Sequence, residues 1–411
     1  MIWATVLLLL VAHAARADES PRYKSVQDFG VLPTNTAAVN AANLQKAIDW
    51  ASPRGAALFL DPSDTPYPID GGIVLKRNVS IMGVHGPVGR GTRHPDKPHP
   101  VGSVFAIEDE KRPFITVEGA TQLRGIQFWY PKQTLDDPKK VIAYPPTIQA
   151  SKTSSAQGVT LSRLTFFGEY LAMDFNAPPG IICEQILIEH CYGYPLGGEF
   201  IRIAYCYDIP RILHCHVNPA NQRFFRGSFS PAIVDSVVAR KTFTYAINHT
   251  DNAQLIDVFT FGAYGGVYLG PATYGQLTNF NLDCVTIGIH KLGDNTFNRN
   301  WQIAQGSIIA NTGAKPEDVH PIVVEGQGHT AIANVEAFAG MNPALTTMKQ
   351  SQDFMLVRGE KKLTVSLTGC RMRNYAAAEP ITVQNPKALV QAVACVDKDE
   401  RAFNKTIEPR E

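Results

Sequence analysis

The chain has little of what would commit it to a metal, a nucleotide or a nucleic acid. No Cys-x-x-Cys, His-Glu-x-x-His or glycine-rich phosphate loop occurs in its 411 residues, so the common short spacings for zinc and phosphate ligands are missing. Charged residues make up 18% and the net charge is +1, which leaves no global field to draw the protein to a nucleic acid. Seven cysteines are too few, and odd in number, to form a dense disulfide framework, so most are read as buried thiols. No apolar run approaches the ~20 residues that cross a bilayer. The first run, Val6 to Ala12, is followed by Ala15-Arg16-Ala17 and the acidic Asp18-Glu19. That pattern predicts a signal peptide over residues 1–17, a secreted or periplasmic product, and no membrane span after cleavage.

What is present is apolar content of 45%, arranged in short pieces. One helical pattern stands near the start, with Val39, Leu44, Ala47, Ile48 and Ala51 on one face. Thr36 opens it, and Pro53 and Gly55 follow it, which predicts a cap helix over about residues 37–50. From Ala57 the texture changes to runs of three to six β-forming residues separated by Gly, Asn and Pro, with no further helix of comparable length.

A template, apolar-x-x-apolar-x-apolar, recurs as Leu123/Ile126/Phe128, Leu161/Leu164/Phe166 and Leu277/Phe280/Leu282. It reads as two short strands meeting at a bend. Starts at Leu255, Leu277, Ile303 and Ile332 are 22, 26 and 29 residues apart, and a β-rich period in the twenties predicts a β-solenoid. Cys191 and Cys215, 24 residues apart, should then stack as neighbours. A third strand follows most templates, at Leu171–Phe175, Phe200–Ala204, Gly266–Leu269, Gly288–Lys291, Ile322–Glu325, Met355–Arg358 and Ile381–Gln384. The predicted fold is therefore all-β, a single parallel β-helix of three strands per coil over residues 18–395, with an irregular tail over 396–411. Tyr130 to Ser155 and Asn218 to Arg240 break the period and read as loops or inserted hairpins.

Alternation along the third strands puts Met173, Ile201, Ile203, Val267, Leu269, Ile289, Val324, Val357 and Val383 inside. It leaves Asp174, Arg202, Tyr268, His290, Glu325, Arg358 and Gln384 as a column on the outer face. Within that column, an enzyme that breaks a uronic glycoside by β-elimination would find its base and its cation among Arg202, Tyr268 and His290, with Lys291 alongside. Hydrolysis would instead need two carboxyl groups, for which Asp174 and Glu199 are the natural pair. The bland alternative is a salt bridge between Asp174 and Arg202 across coils. Glu325, Lys291, Arg226 and Tyr264 are the candidates for binding substrate. His190, Tyr192, Tyr194, His214 and His216 form another cluster, but with no third ligand at a recognisable spacing it reads as packing rather than a metal site.

Specific stretches also resemble the pectin-lyase-like right-handed parallel β-helix proteins, of the rhamnogalacturonase and epimerase-like pectate lyase type. They are Asp28-Phe29-Gly30, Leu44 to Asp49, Ala57 to Pro62, Tyr67-Pro68-Ile69, Asn78 to Gly83, Tyr144 to Ile148, Gly158 to Leu161, Gly193 to Gly198 and Cys206 to Ile209. The resemblance implies an extracellular protein acting on, or binding, complex and often uronic-acid-rich, pectin-like polysaccharide in a groove along one parallel sheet, and the expected state is a monomer. It carries no catalytic residue over. The Asn-Thr-Asp and Gly-His-Gly of polygalacturonase-like members are absent, Gly328-His329-Thr330 being the nearest approach, and no acidic calcium cluster is recognisable. Calcium stays open as a cofactor, and so do two function classes: a lyase or glycoside hydrolase, and a catalytically silent carbohydrate-binding or surface module.

Overall fold

In the computed structural model, residues 22–84, 97–220, 230–293, 300–313, 315–338 and 350–410 are described. The predicted signal peptide and Arg226 lie outside them. The described chain is a right-handed parallel β-helix with an N-terminal cap helix.

The cap helix, α1, runs Ala37–Ala51 and buries Ala37, Asn40, Leu44, Ala47, Ile48 and Ala51, a stripe at three- and four-residue spacing. Val39 does not join this face and is 47% exposed. Asn40 takes the inward position because its amide bonds the backbone of Leu32 in both directions and the Pro68 carbonyl, tying the lead segment to the first coils.

Above α1, each coil repeats the previous one in register. One inward ladder passes through Leu58, Ile81, Leu123, Leu161, Ile188, Ile212, Leu255, Leu277, Ile303, Ile332 and Leu367. All of these are buried. The bend in the template is made by a left-handed residue, with φ of 55° at Arg163, 50° at His190, 53° at His214 and Asp257, 54° at Asn279 and 52° at Asn334. Asn, Asp and His accept that conformation more readily than most side chains, which accounts for their recurrence there. Cys191 and Cys215 stack as neighbours, since Tyr192 pairs with His216, and all seven cysteines are buried free thiols.

Among the described residues, eleven strands form one continuous parallel sheet. They are β1 (Ile73–Leu75), β2 (Ile115–Val117), β3 (Ile148–Ala150), β4 (Met173–Asn176), β5 (Ile201–Cys206), β6 (Phe243–Thr250), β7 (Gly265–Leu269), β8 (Ile287–Lys291), β9 (His320–Val324), β10 (Met355–Val357) and β11 (Ile381–Val383). Two regions differ from the sequence reading. The segment read as a loop or hairpin before Arg240 contains a helix, α2 (Pro231–Ala239), started by Pro231 and by Ser230, whose hydroxyl accepts from the Ala232 amide. The tail is not irregular either. Ala402–Ile407 runs antiparallel to Ala388–Val396, pairing Val390 with Ile407 and Val396 with Ala402, and covers an edge that would otherwise invite another chain.

Aromatic stacking reinforces the N-terminal coils. Phe166 is fully buried, with ring centroids 4.9 Å from Phe128 and 5.6 Å from Phe200. Phe166→Ala should cost about 3–5 kcal/mol through lost transfer energy and an unfilled cavity. Thermal or denaturant unfolding measures this, and an unchanged midpoint would contradict the packing described.

Candidate functional site

The outer face of the eleven-stranded sheet carries a column set by backbone register. Asp174 pairs with Arg202, Arg202 with Ala246, Ala246 with Tyr268, Tyr268 with His290, His290 with Val323 and Val323 with Leu356. The neighbours on either side of these residues, Ile201, Ile203, Val267, Leu269 and Ile289, are buried in the interior. Beyond His290 the column differs from the sequence reading. Val323 and Leu356 occupy it, while Glu325 and Arg358 stand two residues further along their strands.

Two clusters result. In the first, Arg202 donates from Nε and a terminal nitrogen to the two oxygens of Asp174, at 3.1 and 2.9 Å, and its other terminal nitrogen lies 3.4 Å from Glu199. Its fork is therefore engaged by protein carboxylates, the salt bridge of the bland reading, rather than open to a sugar acid. Burial depresses the Arg202 pKa, but the bonds and charge of Asp174 outweigh it and hold the guanidinium above its ordinary value. Glu199 moves above the usual carboxylate range, because burial and the nearby Asp174 charge exceed the pull of Arg202.

The second cluster lies three coils on, roughly 14 Å away at ~4.8 Å per coil. Here residues of α2, with Thr312, Gly313, Glu317, Asp318 and His320, border a cleft of about 610 Å³ over the sheet. Ile287, His290, Val323 and Leu356 line its base, with Tyr264 and Arg358 in the same lining and Asp235, Glu317 and Asp318 on the walls.

His290 Nε2 is 2.6 Å from Glu325 Oε1, and Arg358 Nε is 2.7 Å from Glu325 Oε2. Burial alone would raise the Glu325 pKa. The bonds from His290 and Arg358 reverse that and lower it to about 2. An ionised Glu325 can only accept, so His290 donates to it from Nε2. No described residue bonds its Nδ1. The ring is further fixed by Tyr268, edge-on at 5.4 Å, and by Phe243 at 5.9 Å. Burial raises the hydroxyl pKa of Tyr268, with Glu325 adding to it. It does the same for Tyr264, where Asp318 raises and Arg358 lowers.

A second histidine, His320, is spent on structure. Its Nδ1 is 2.7 Å from the buried Asp353 and its Nε2 is 3.0 Å from the Glu317 carbonyl, so it anchors the wall that carries Glu317 and Asp318.

The structure thus gathers Tyr264, Tyr268, His290 and Glu325, and sets Asp174, Glu199 and Arg202 apart from them. Lys291 is a correction. It pairs with the inward Leu269, is 2% exposed, and its ammonium donates to the carbonyls of Gly293, Glu325 and Gln327, which satisfies the charge without a groove. The reading missed the roles of Arg358, His320 and Asp353. Arg358 was visible as an outward residue, but His320 and Asp353, 33 residues apart, carry no spacing signal. Among the described residues no group of three His, Cys, Asp or Glu side chains is arranged to hold a metal, and no helix is long and apolar enough to cross a membrane.

The class this architecture defines is the right-handed parallel β-helix, and the comparisons with solved structures agree. The chain is similar to DFA-IIIase from Arthrobacter chlorophenolicus A6 in complex with GF2, at 11% identity and a TM-score of 0.53, covering 92% of this chain and 94% of that one. It is similar to tailspike protein 2 from Escherichia coli O157:H7 bacteriophage CAB120, at 11% identity and TM-score 0.53, over 85% of this chain and 43% of that one. The bacteriophage phi29 gene product 12 gives 10% identity and TM-score 0.53, over 96% and 54%. No protein-family model and no curated protein matches the chain. At these identities the likeness shows the fold.

The depressed Glu325 pKa has a consequence for stability. A carboxylate held below its unfolded value contributes fully above that value and loses the contribution as pH falls through the folded one. For Glu325 the window runs from the ordinary 4.5 down to about 2. Glu325→Gln should flatten the fall in melting temperature across that window, and an identical pH profile for both proteins would contradict the Glu325 contacts.

Proposed function

We propose that the protein is an exported carbohydrate-active enzyme that cleaves uronic-acid-containing, pectin-like polysaccharide by β-elimination in the cleft beneath α2. The observation that carries this reading is His290. It lines the cleft, is held through Nε2 by an ionised Glu325, and leaves Nδ1 without a partner among the described residues, with the Arg358 guanidinium on the other oxygen of the same carboxylate.

In that reaction His290 Nδ1 takes the proton from the carbon bearing the carboxylate. The electron pair forms a double bond to the neighbouring carbon, and the glycosidic oxygen there leaves with its bond electrons. Arg358 also gives Nε and one terminal nitrogen to Glu325, at 2.7 and 3.3 Å, but its side chain is 43% exposed, and its remaining terminal nitrogen is the donor for the charge that grows on the uronate carboxylate as the proton departs. Tyr264, kept protonated by burial, is the cleft group that returns a proton to the leaving oxygen. The DFA-IIIase neighbour, solved with GF2 and with DFA-III, supports a sugar ligand for a β-helix of this extent.

A second reading, hydrolysis, is favoured by one observation: burial raises Glu199 beside Asp174, as a general acid requires. A panel of uronic-acid-containing polysaccharides separates the two. Elimination gives an unsaturated, ultraviolet-absorbing product, whereas hydrolysis gives reducing ends alone. His290→Ala should lower turnover by about 10²–10⁴-fold, the contribution of a positioned base, while Glu199→Gln leaves elimination nearly intact. Full activity in His290→Ala would overturn the assignment. The export reading predicts a mature chain starting near Asp18, which N-terminal sequencing of the secreted protein checks.

A further inference from the structure

Six of the seven cysteines fall into three pairs one coil apart. Cys183 and Cys206, Cys191 and Cys215, and Cys370 and Cys395 are separated by 23, 24 and 25 residues, the period of the solenoid. Each pair is set by the same backbone contact. Tyr207 donates its amide to the Cys183 carbonyl at 2.8 Å, His216 to the Cys191 carbonyl at 3.0 Å and Val396 to the Cys370 carbonyl at 2.9 Å. Strand register agrees, with Glu184 opposite Tyr207, Tyr192 opposite His216 and Arg371 opposite Val396, which sets the two cysteines of each pair side by side. All six are at most 1% exposed and belong to the apolar interior.

Adjacent parallel strands lie about 4.8 Å apart, inside the roughly 4.4–6.8 Å between Cα atoms that a disulfide spans. Side chains at matched positions point to the same side of the sheet, so the two sulfurs of a pair meet. Their contact is felt in each pair. The bond with Cys183 raises the Cys206 thiol above its ordinary pKa, and the bond with Cys395 does the same to Cys370, with burial adding in both cases. Burial, then the bond with Cys215, raises Cys191. Cys284 is the exception. It packs with Val234, Val238 and Phe261, and among the described residues no cysteine stands in register with it.

We infer that the three pairs close into disulfides that staple neighbouring coils when the protein folds in an oxidising compartment. Export supplies that setting, while the pairing itself rests on register alone. The oxidant is a small-molecule or protein disulfide. One thiolate of a pair attacks it, forms a mixed disulfide and releases one thiol. The second thiolate then displaces the other, so that two thiols are oxidised, one disulfide is reduced and both protons leave on the released thiols. Because the finished solenoid encloses the sulfurs, closure takes place while a coil is docking, and the completed bonds are shielded from reductants. Two staples join the coil of Asp174 to the coil of Arg202, before the segment that carries α2, and the third joins the last coils beside the tail strand. The stack is interrupted at the first place and ends at the second, and both are where local opening would start.

The full chain, unfolded in urea with a reductant and refolded in a mixture of oxidised and reduced glutathione, tests this. Alkylation in denaturant should then label one thiol of the seven, Cys284, whereas prior reduction exposes all seven. Peptide maps without reduction should join Cys183 to Cys206, Cys191 to Cys215 and Cys370 to Cys395. Cys370→Ala should free Cys395 alone and leave the other two bonds in place. Seven labelled thiols in the refolded or the secreted chain, or bonds between other partners, would overturn the inference, and each missing bond removes its own pair. A chain that keeps residues 1–17 inside the cell yet forms the three bonds on refolding would remove only the export reading.

Discussion

Parallel coils can stack indefinitely only if every backbone amide and carbonyl meets its counterpart one coil away, at the fixed spacing of adjacent strands. That constraint sets almost everything else here. It forces equivalent positions of consecutive coils into register, so that interior ladders such as Leu161, Ile188, Ile212 and Leu255 become continuous apolar columns. It also requires each coil to turn at the same place, which the left-handed residues from Arg163 to Asn334 accomplish. Residues that are far apart in sequence then become neighbours on the surface without any special arrangement.

The site follows from the same constraint plus one departure from it. Register places His290 against Tyr268, and the strand ends bring Glu325 and Arg358 to it. Register alone yields an open ladder, however, on which solvent screens each charge. Helix α2 and the separate segment around Glu317 convert part of that ladder into a cleft lined by Tyr264, and burial opposes ionisation of both Tyr264 and Tyr268. Asp174, Glu199 and Arg202 sit on the same face but neutralise one another, a common fate of a charged row that no insertion claims.

Much of this was legible in the sequence, and the failures have physical causes. Strands around Ile201, Val267 and Ile289 show clear alternation because one face is apolar and the other polar. The strand Phe243–Thr250 was missed because the insertion before it stretches the interval from Ile203 to Ile247 to 44 residues, beyond the coil period. Glu325 was placed beside His290 in the column because His320 to Val324 is buried on both faces, which erases the period of two and hides which valine points outward. Lys291 was read by its charge, although alternation already placed it inside. The helix α2 carried its own signals, a capping Ser230 and an initial Pro231, but was too short to compete with the surrounding β pattern.

The central claim is that an acidic saccharide lies across His290 in the cleft. Crystals of the His290→Ala protein soaked with an oligogalacturonate test it most directly. The account predicts density in the cleft between α2 and residues 312–320, with a uronate carboxylate against Arg358 and the carbon that bears it facing the space left by the imidazole. An oligogalacturonate bound only along Asp174 and Arg202, or a cleft that stays empty while the same protein binds the saccharide in solution, would contradict it.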